Sequence, residues 1–186
     1  QAFEKADKAH PPKKGGVVFY GSSSIRKWDL AKAFPGKDYV NRGFGGSTMP
    51  DAIQYLDRVV LPLQPTTIVL YEGDNDIGRG DTGPIVFRDF KTFVDKVHAK
   101  LPQTKIVYLA IKPSLARWHL IEQMRTANLM IKEYCYEDPR LIYVDTEKPM
   151  LGPDGTPRKD LFVEDGLHMT DKGYAIWNKL VAPYLN

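Results

Sequence analysis

The sequence predicts an α/β protein built on an open parallel sheet with helices on both sides. Three observations lead there. Five short strand-forming runs, at 17–20, 38–41, 66–71, 105–111 and 141–144, alternate with stretches of helical character. The runs are continuous rather than alternating in polarity, as strands covered on both faces require. Clusters rich in glycine and polar side chains follow the first three runs, at the carboxyl ends of strands where such folds collect function.

Taken in order, residues 1–16 are polar, with Pro11-Pro12 and Gly15-Gly16, and read as an N-terminal arm carrying a short helix over 2–9. Residues 17–186 read as one domain, a length sufficient for a single core. The first strand, 17–20, runs straight into Gly21-Ser22-Ser23-Ser24 and a helix over 25–34, which Pro35-Gly36 ends. The second strand, 38–41, leads into the glycine cluster from Arg42 to Thr48. A helix over 50–60 places Ile53, Leu56, Val59 and Val60 near helical spacing. The third strand, 66–71, ends in Glu72-Gly73-Asp74-Asn75-Asp76, read as the start of a loop rich in Gly and Asp. Pro84 opens a helix over 84–101, a favoured position for proline, and Val86, Phe90, Phe93, Val94 and Val97 share one face. Lys112-Pro113-Ser114 breaks the fourth strand, a helix follows over 117–136, and the last helix spans 170–181 behind Thr170.

Composition excludes several classes of function. The net charge of +3 is small and the basic residues are scattered, with no run longer than Lys13-Lys14, so nucleic acid is not an expected partner. No apolar run is long enough to span a membrane. Cys135 is the single cysteine, a small core residue by expectation, and there is no Cys/His cluster of metal spacing. The Asp74-Asn75-Asp76 run fails the calcium-loop pattern, with Gly78 at the fifth position and Ile85 at the twelfth. No metal and no phosphate-loop motif is present in the pattern. The chain opens at Gln1 without a methionine, which fits a removed leader as well as a trimmed chain; a secreted or periplasmic location is the expectation over a cytoplasmic one.

Acyl transfer would account for the polar clusters. A serine on a sharp strand-to-helix turn stands clear of the backbone and has its N–H at the positive end of a helix. Serine is a weak nucleophile and needs a base, usually a histidine oriented by a carboxylate. His168 has Asp165 three residues before it, close enough to meet its imidazole within one turn. Gly46 and Asn75 offer oxyanion donors, and the Ser23 N–H adds a third. On these grounds alone Ser22, Ser23 and Ser24 remain open, since helix capping explains serines equally well. Glu72 stands either at the pocket or beneath it. Arg117 and Trp118 fall near the expected cleft, either as substrate contacts or as an ordinary helix start.

The blocks together resemble the SGNH hydrolases, the GDSL esterase/lipase family. Gly21-Ser22-Ser23 is similar to the family's Gly-Asp-Ser, with Ser22 in place of Asp; Gly45-Gly46-Ser47-Thr48 is similar to its small-residue turn. Gly73-Asp74-Asn75-Asp76 matches Gly-x-Asn-Asp, and Asp165 to His168 matches Asp-x-x-His. The variant Gly-Ser-Ser-Ser-Ile-Arg, with Lys112-Pro113-Ser114 and Arg117-Trp118, looks like a bacterial subgroup near the platelet-activating-factor acetylhydrolase-like esterases. The resemblance implies a flavodoxin-like three-layer α/β/α fold with a five-stranded parallel sheet. It implies ester hydrolysis through an acyl-serine, with no metal and no diffusible cofactor. Position by position it implies Ser23 as nucleophile, His168 as base and Asp165 as its partner. Ser23, Gly46 and Asn75 would form the oxyanion hole. The expected substrate is a small ester of a short acyl group, acetyl first, or an acetylated carbohydrate stacked on Trp28, Trp118 or Trp177. A non-catalytic binding module on the same fold is the rival reading.

Overall fold

The computed structural model describes residues 2–185; the outermost residues of the expected arm and domain, Gln1 and Asn186, lie outside the described residues. Strands β1 (Val17–Gly21), β2 (Val40–Gly43), β3 (Thr67–Tyr71), β4 (Lys105–Leu109) and β5 (Leu141–Val144) form one sheet. Their order is β2-β1-β3-β4-β5 and every neighbouring pair is parallel. This is the flavodoxin-like order, in which the crevice for a ligand opens where β1 and β3 part company at their carboxyl ends.

The continuous apolar strands are explained by two cores. Val18, Tyr20, Ile68, Leu70, Ile106 and Tyr108 point to one face, beneath α4 (Met49–Val59), α6 (Gly83–Lys100) and α7 (Ile121–Tyr136). Val17, Phe19, Val69, Tyr71, Val107 and Leu109 point to the other, beneath α2 (Ser23–Arg26), α3 (Leu30–Ala33) and α8 (Asp171–Val181). Alternate residues of one strand thus serve opposite cores, and neither face is left for water. The expected short helix forms as α1 (Ala2–Ala9). Its Asp7 accepts from Nη2 of the buried Arg42 guanidinium at 2.6 and 2.7 Å, while Arg42 Nε donates to the Val59 carbonyl, and its Glu4 pairs with Arg58.

Four expected elements change. The helix over 25–34 is broken into α2 and α3. Trp28 turns into the core at 3% exposure and donates its indole N–H to Asn178 Oδ1, while Asp29 accepts the N–H of Lys32 and starts a new helix. Strand β2 runs two residues later than expected. Its last residue, Gly43, lies so close to α2 that a Cβ there would stand 2.1 Å from the Arg26 nitrogen. The loop expected after β3 begins as a helix, α5 (Asp74–Gly78), and α7 starts only at Ile121 because 118–120 form a tight 3₁₀ turn.

Candidate active site

The site begins where β1 ends. Gly21 has φ +139°, and a Cβ there would stand 2.0 Å from the Tyr71 carbonyl oxygen of β3. Only glycine permits this crossing. The next N–H, of Ser22, donates to that same oxygen at 3.2 Å. The chain then enters α2 with Ser23 as its first residue. Of the three adjacent serines, Ser22 and Ser24 are buried at 2% and 4%, and Ser23 alone is partly open to solvent.

His168 arrives from the segment before α8. That segment is folded on itself by Val163 N–H to the His168 carbonyl and Gly166 N–H to the Val163 carbonyl, and it is tied to the loop that follows β4 by Ala116 N–H to the Gly166 carbonyl. The result spans 145 positions of sequence: His168 Nε2 lies 2.9 Å from Ser23 Oγ. On the other side of the ring, Nδ1 lies 2.5 Å from Asp165 Oδ2, while Asp165 Oδ1 accepts the N–H groups of Leu167 and His168 at 2.8 Å. Desolvation pushes the Asp165 carboxyl upward, but these bonds outweigh it and hold it well below the usual carboxylate range. An ionised Asp165 can only accept, so Nδ1 carries a proton, and whenever the imidazole is neutral Nε2 is the acceptor for the serine hydroxyl.

The third wall is the turn from Gly43 to Thr48. Gly46 has φ +74° and is exposed. Arg79 donates to its carbonyl at 2.7 Å, and the Asn75 amide donates to the Ser47 carbonyl at 2.8 Å. Among the described residues, the N–H groups of Ser23 and Gly46 meet no protein acceptor. Asn75 itself is held from behind. Arg117 donates to its Oδ1 at 3.1 Å and also to the carbonyl and carboxylate of Asp74. Asp74 is buried with the ammonium of Lys112 at 2.9 Å and the Tyr71 hydroxyl at 2.9 Å. Burial raises its pKa, yet the two cations prevail and bring it down to about 2.

The structure therefore brings Ser23, Asp165 and His168 together, and Asn75, from α5, hydrogen-bonds the turn that carries Gly46. Arg117 is drawn beneath Asn75, and Trp118 packs at the edge of the core with the Arg125 guanidinium over its ring. The Asp74–Lys112–Arg117 cluster escaped the sequence reading, because partners 38 and 43 positions apart leave no local signature. Among the described residues there is no group of three metal-ligating side chains, and no helix is long and apolar enough to cross a membrane.

The sequence profile of the GDSL-like lipase/acylhydrolase family matches residues 16–176. The chain belongs to that family. It is accordingly a carboxylic ester hydrolase. No curated protein matches it. Solved structures share the fold of this GDSL-family enzyme at low identity. A protein provisionally named a platelet activating factor from Streptococcus pneumonia superposes with a TM-score of 0.87 at 22% identity, over 98% of this chain and 89% of that one. A GDSL-like lipase from Bacteroides thetaiotaomicron gives 0.85 at 19% identity, over 99% and 95%. A mutant acetyl esterase with an acetate ion gives 0.73 at 14% identity, over 92% and 96%. The expected fold class and family are both borne out.

Proposed function

We propose that this GDSL-family enzyme is a serine esterase that removes short acyl groups, acetyl first, through an acyl-serine. The observation that carries the reading is the unbroken hydrogen-bond chain Asp165–His168–Ser23. Ser23 Oγ attacks the ester carbonyl as its proton passes to His168 Nε2, and the carbonyl oxygen becomes an oxyanion held by the Ser23 and Gly46 N–H groups and the Asn75 amide. Collapse of this intermediate breaks the C–O bond, and the imidazolium returns the proton to the departing alcohol. Water then attacks the acyl-serine, gives its proton to His168 and releases the carboxylic acid, with Ser23 Oγ reprotonated. Asp165 remains a carboxylate throughout.

One observation favours small esters over acetylated carbohydrate. Trp28 and Trp177 are buried at 3% and 0%, so two of the three tryptophans are unable to stack on a sugar. The mutant acetyl esterase of the same fold, described with an acetate ion, supports acetyl as the acyl group for either kind of alcohol. Rates on a series of p-nitrophenyl esters test the reading: the maximum is expected at acetate, and a maximum at long chains sinks it. A phosphonate ester should label Ser23 in intact protein, as mapped by mass spectrometry; an unlabelled Ser23 would favour the binding-module reading instead.

A further inference from the structure

Glu72 takes no part in the chemistry just described, yet it lies directly below it. It follows β3, is 0% exposed, and its Oε1 stands 2.5 Å from Ser47 Oγ. Ser47 Oγ is also 3.1 Å from the Phe44 carbonyl. A serine hydroxyl has one proton and the carbonyl can only accept. If both bonds form, the Ser47 proton goes to Phe44 and the proton in the shorter bond belongs to Glu72. We infer that Glu72 is a neutral carboxylic acid and a positioning residue, pinning the oxyanion turn through the relay Glu72 O–H to Ser47 Oγ–H to the Phe44 carbonyl.

Its surroundings agree with a neutral acid. Glu72 Oε2 is buried and meets no hydrogen-bond partner among the described residues, a costly place for a carboxylate oxygen and a tolerable one for the carbonyl of an acid. Burial raises its pKa well above the ordinary value, by more than a bond donated from Ser47 would lower it, and the nearby carboxylates of Asp76, Asp51 and Asp74 raise it further. The relay completes a clamp. The same turn is held at the Ser47 carbonyl by Asn75 and at the Gly46 carbonyl by Arg79, and the start of α4 just beyond it is held at the Met49 N–H by Asp76. Glu72 is the member that grips it from the core side, between the residues on either side of Gly46.

The inference rests on the reading of Gly46 as an oxyanion donor, and the test separates the two. Misplacing that donor affects the transition state more than the bound ester. Glu72→Leu should lower kcat on p-nitrophenyl acetate about ten- to hundredfold while KM stays within about twofold. Glu72→Gln, whose amide can still donate to Ser47 Oγ, should recover most of that loss. Ser47→Ala breaks the relay without a change in buried volume at Glu72 and should repeat the kcat loss, whether or not Glu72→Leu folds. The infrared difference between wild type and Glu72→Gln at neutral pH should show the C=O band of a protonated carboxyl. Glu72→Gln as slow as Glu72→Leu, a Ser47→Ala enzyme with wild-type kcat, or no protonated-carboxyl band would each overturn the inference while wild-type turnover and Ser23 labelling stand. Wild-type protein with neither turnover nor label overturns the esterase reading and this one together.

Discussion

Arg117 donates to Asn75 Oδ1, and this bond decides which way the Asn75 amide faces. With the oxygen tied to a guanidinium, the NH₂ group turns to the Ser47 carbonyl, where one of its protons is bound, which leaves the other for the oxyanion in the proposed mechanism. Arg117→Met should therefore act on the transition state. The expected outcome is a kcat lower by about tenfold or more with little change in KM. Steady-state kinetics on p-nitrophenyl acetate check it, and a change confined to KM would instead make Arg117 a contact for bound ester.

Asp165 orders the imidazole from a partly exposed position, its side chain 46% accessible. Asparagine there could present its NH₂ to Nδ1 and so place the ring proton on Nε2, the wrong tautomer for accepting from Ser23. Asp165→Asn should lower kcat about a hundredfold or more. Solvent access allows water to substitute in part, so the loss should be smaller than for Ser23→Ala, measured side by side on the same ester.

Much of this arrangement was readable because it is local. The strands announce themselves as apolar runs, the Asp165–His168 pair sits within one turn, and Gly46 and Asn75 occupy short blocks. What the sequence hides is long-range. Nothing near Glu72 signals that it meets Ser47, 25 positions earlier. Lys112 reads as part of a strand-breaking loop until Asp74 is found beside it in the interior. Helix 25–34 has acceptable local propensity, but burial of Trp28 against Phe19 and Trp177 breaks it. Helix α5 could have been anticipated: a glycine followed by Asp74 and Asp76 is an acidic first turn, which the helix dipole favours.

Asp76 makes stability depend on pH with an unusual sign. Burial raises its pKa from 3.8 to about 6, against the lowering effect of the Met49 N–H bond. A carboxyl with a raised folded pKa contributes stability that is fully present below its unfolded value and is lost as pH climbs through the folded one. Between pH 4 and pH 7 this group should cost the fold on the order of 3 kcal/mol. Asp76→Asn keeps the Oδ1 acceptor and removes the titration. Its Tm relative to wild type should rise across that interval. A Tm difference that stays constant with pH would show that Asp76 is not titrating there.

Gly21 is the position at which sheet geometry and chemistry meet. Its φ of +139° disfavours any other residue, and the atom a Cβ would strike, the Tyr71 carbonyl oxygen at 2.0 Å, is backbone inside the central strand pair. Neither strand can yield without loosening the β1–β3 junction and moving Ser23, two residues on. Gly21→Ala should cost about 3 kcal/mol or more and slow phosphonate labelling of Ser23 in the fraction that still folds. Gly16→Ala is the control, because a Cβ there meets nothing within 4 Å. Denaturant unfolding and labelling rates on both variants check the contrast. Equal stability for the two would mean that the junction tolerates a side chain and that Ser23 is placed by other contacts, among them the Tyr174 hydroxyl on the Ser24 carbonyl.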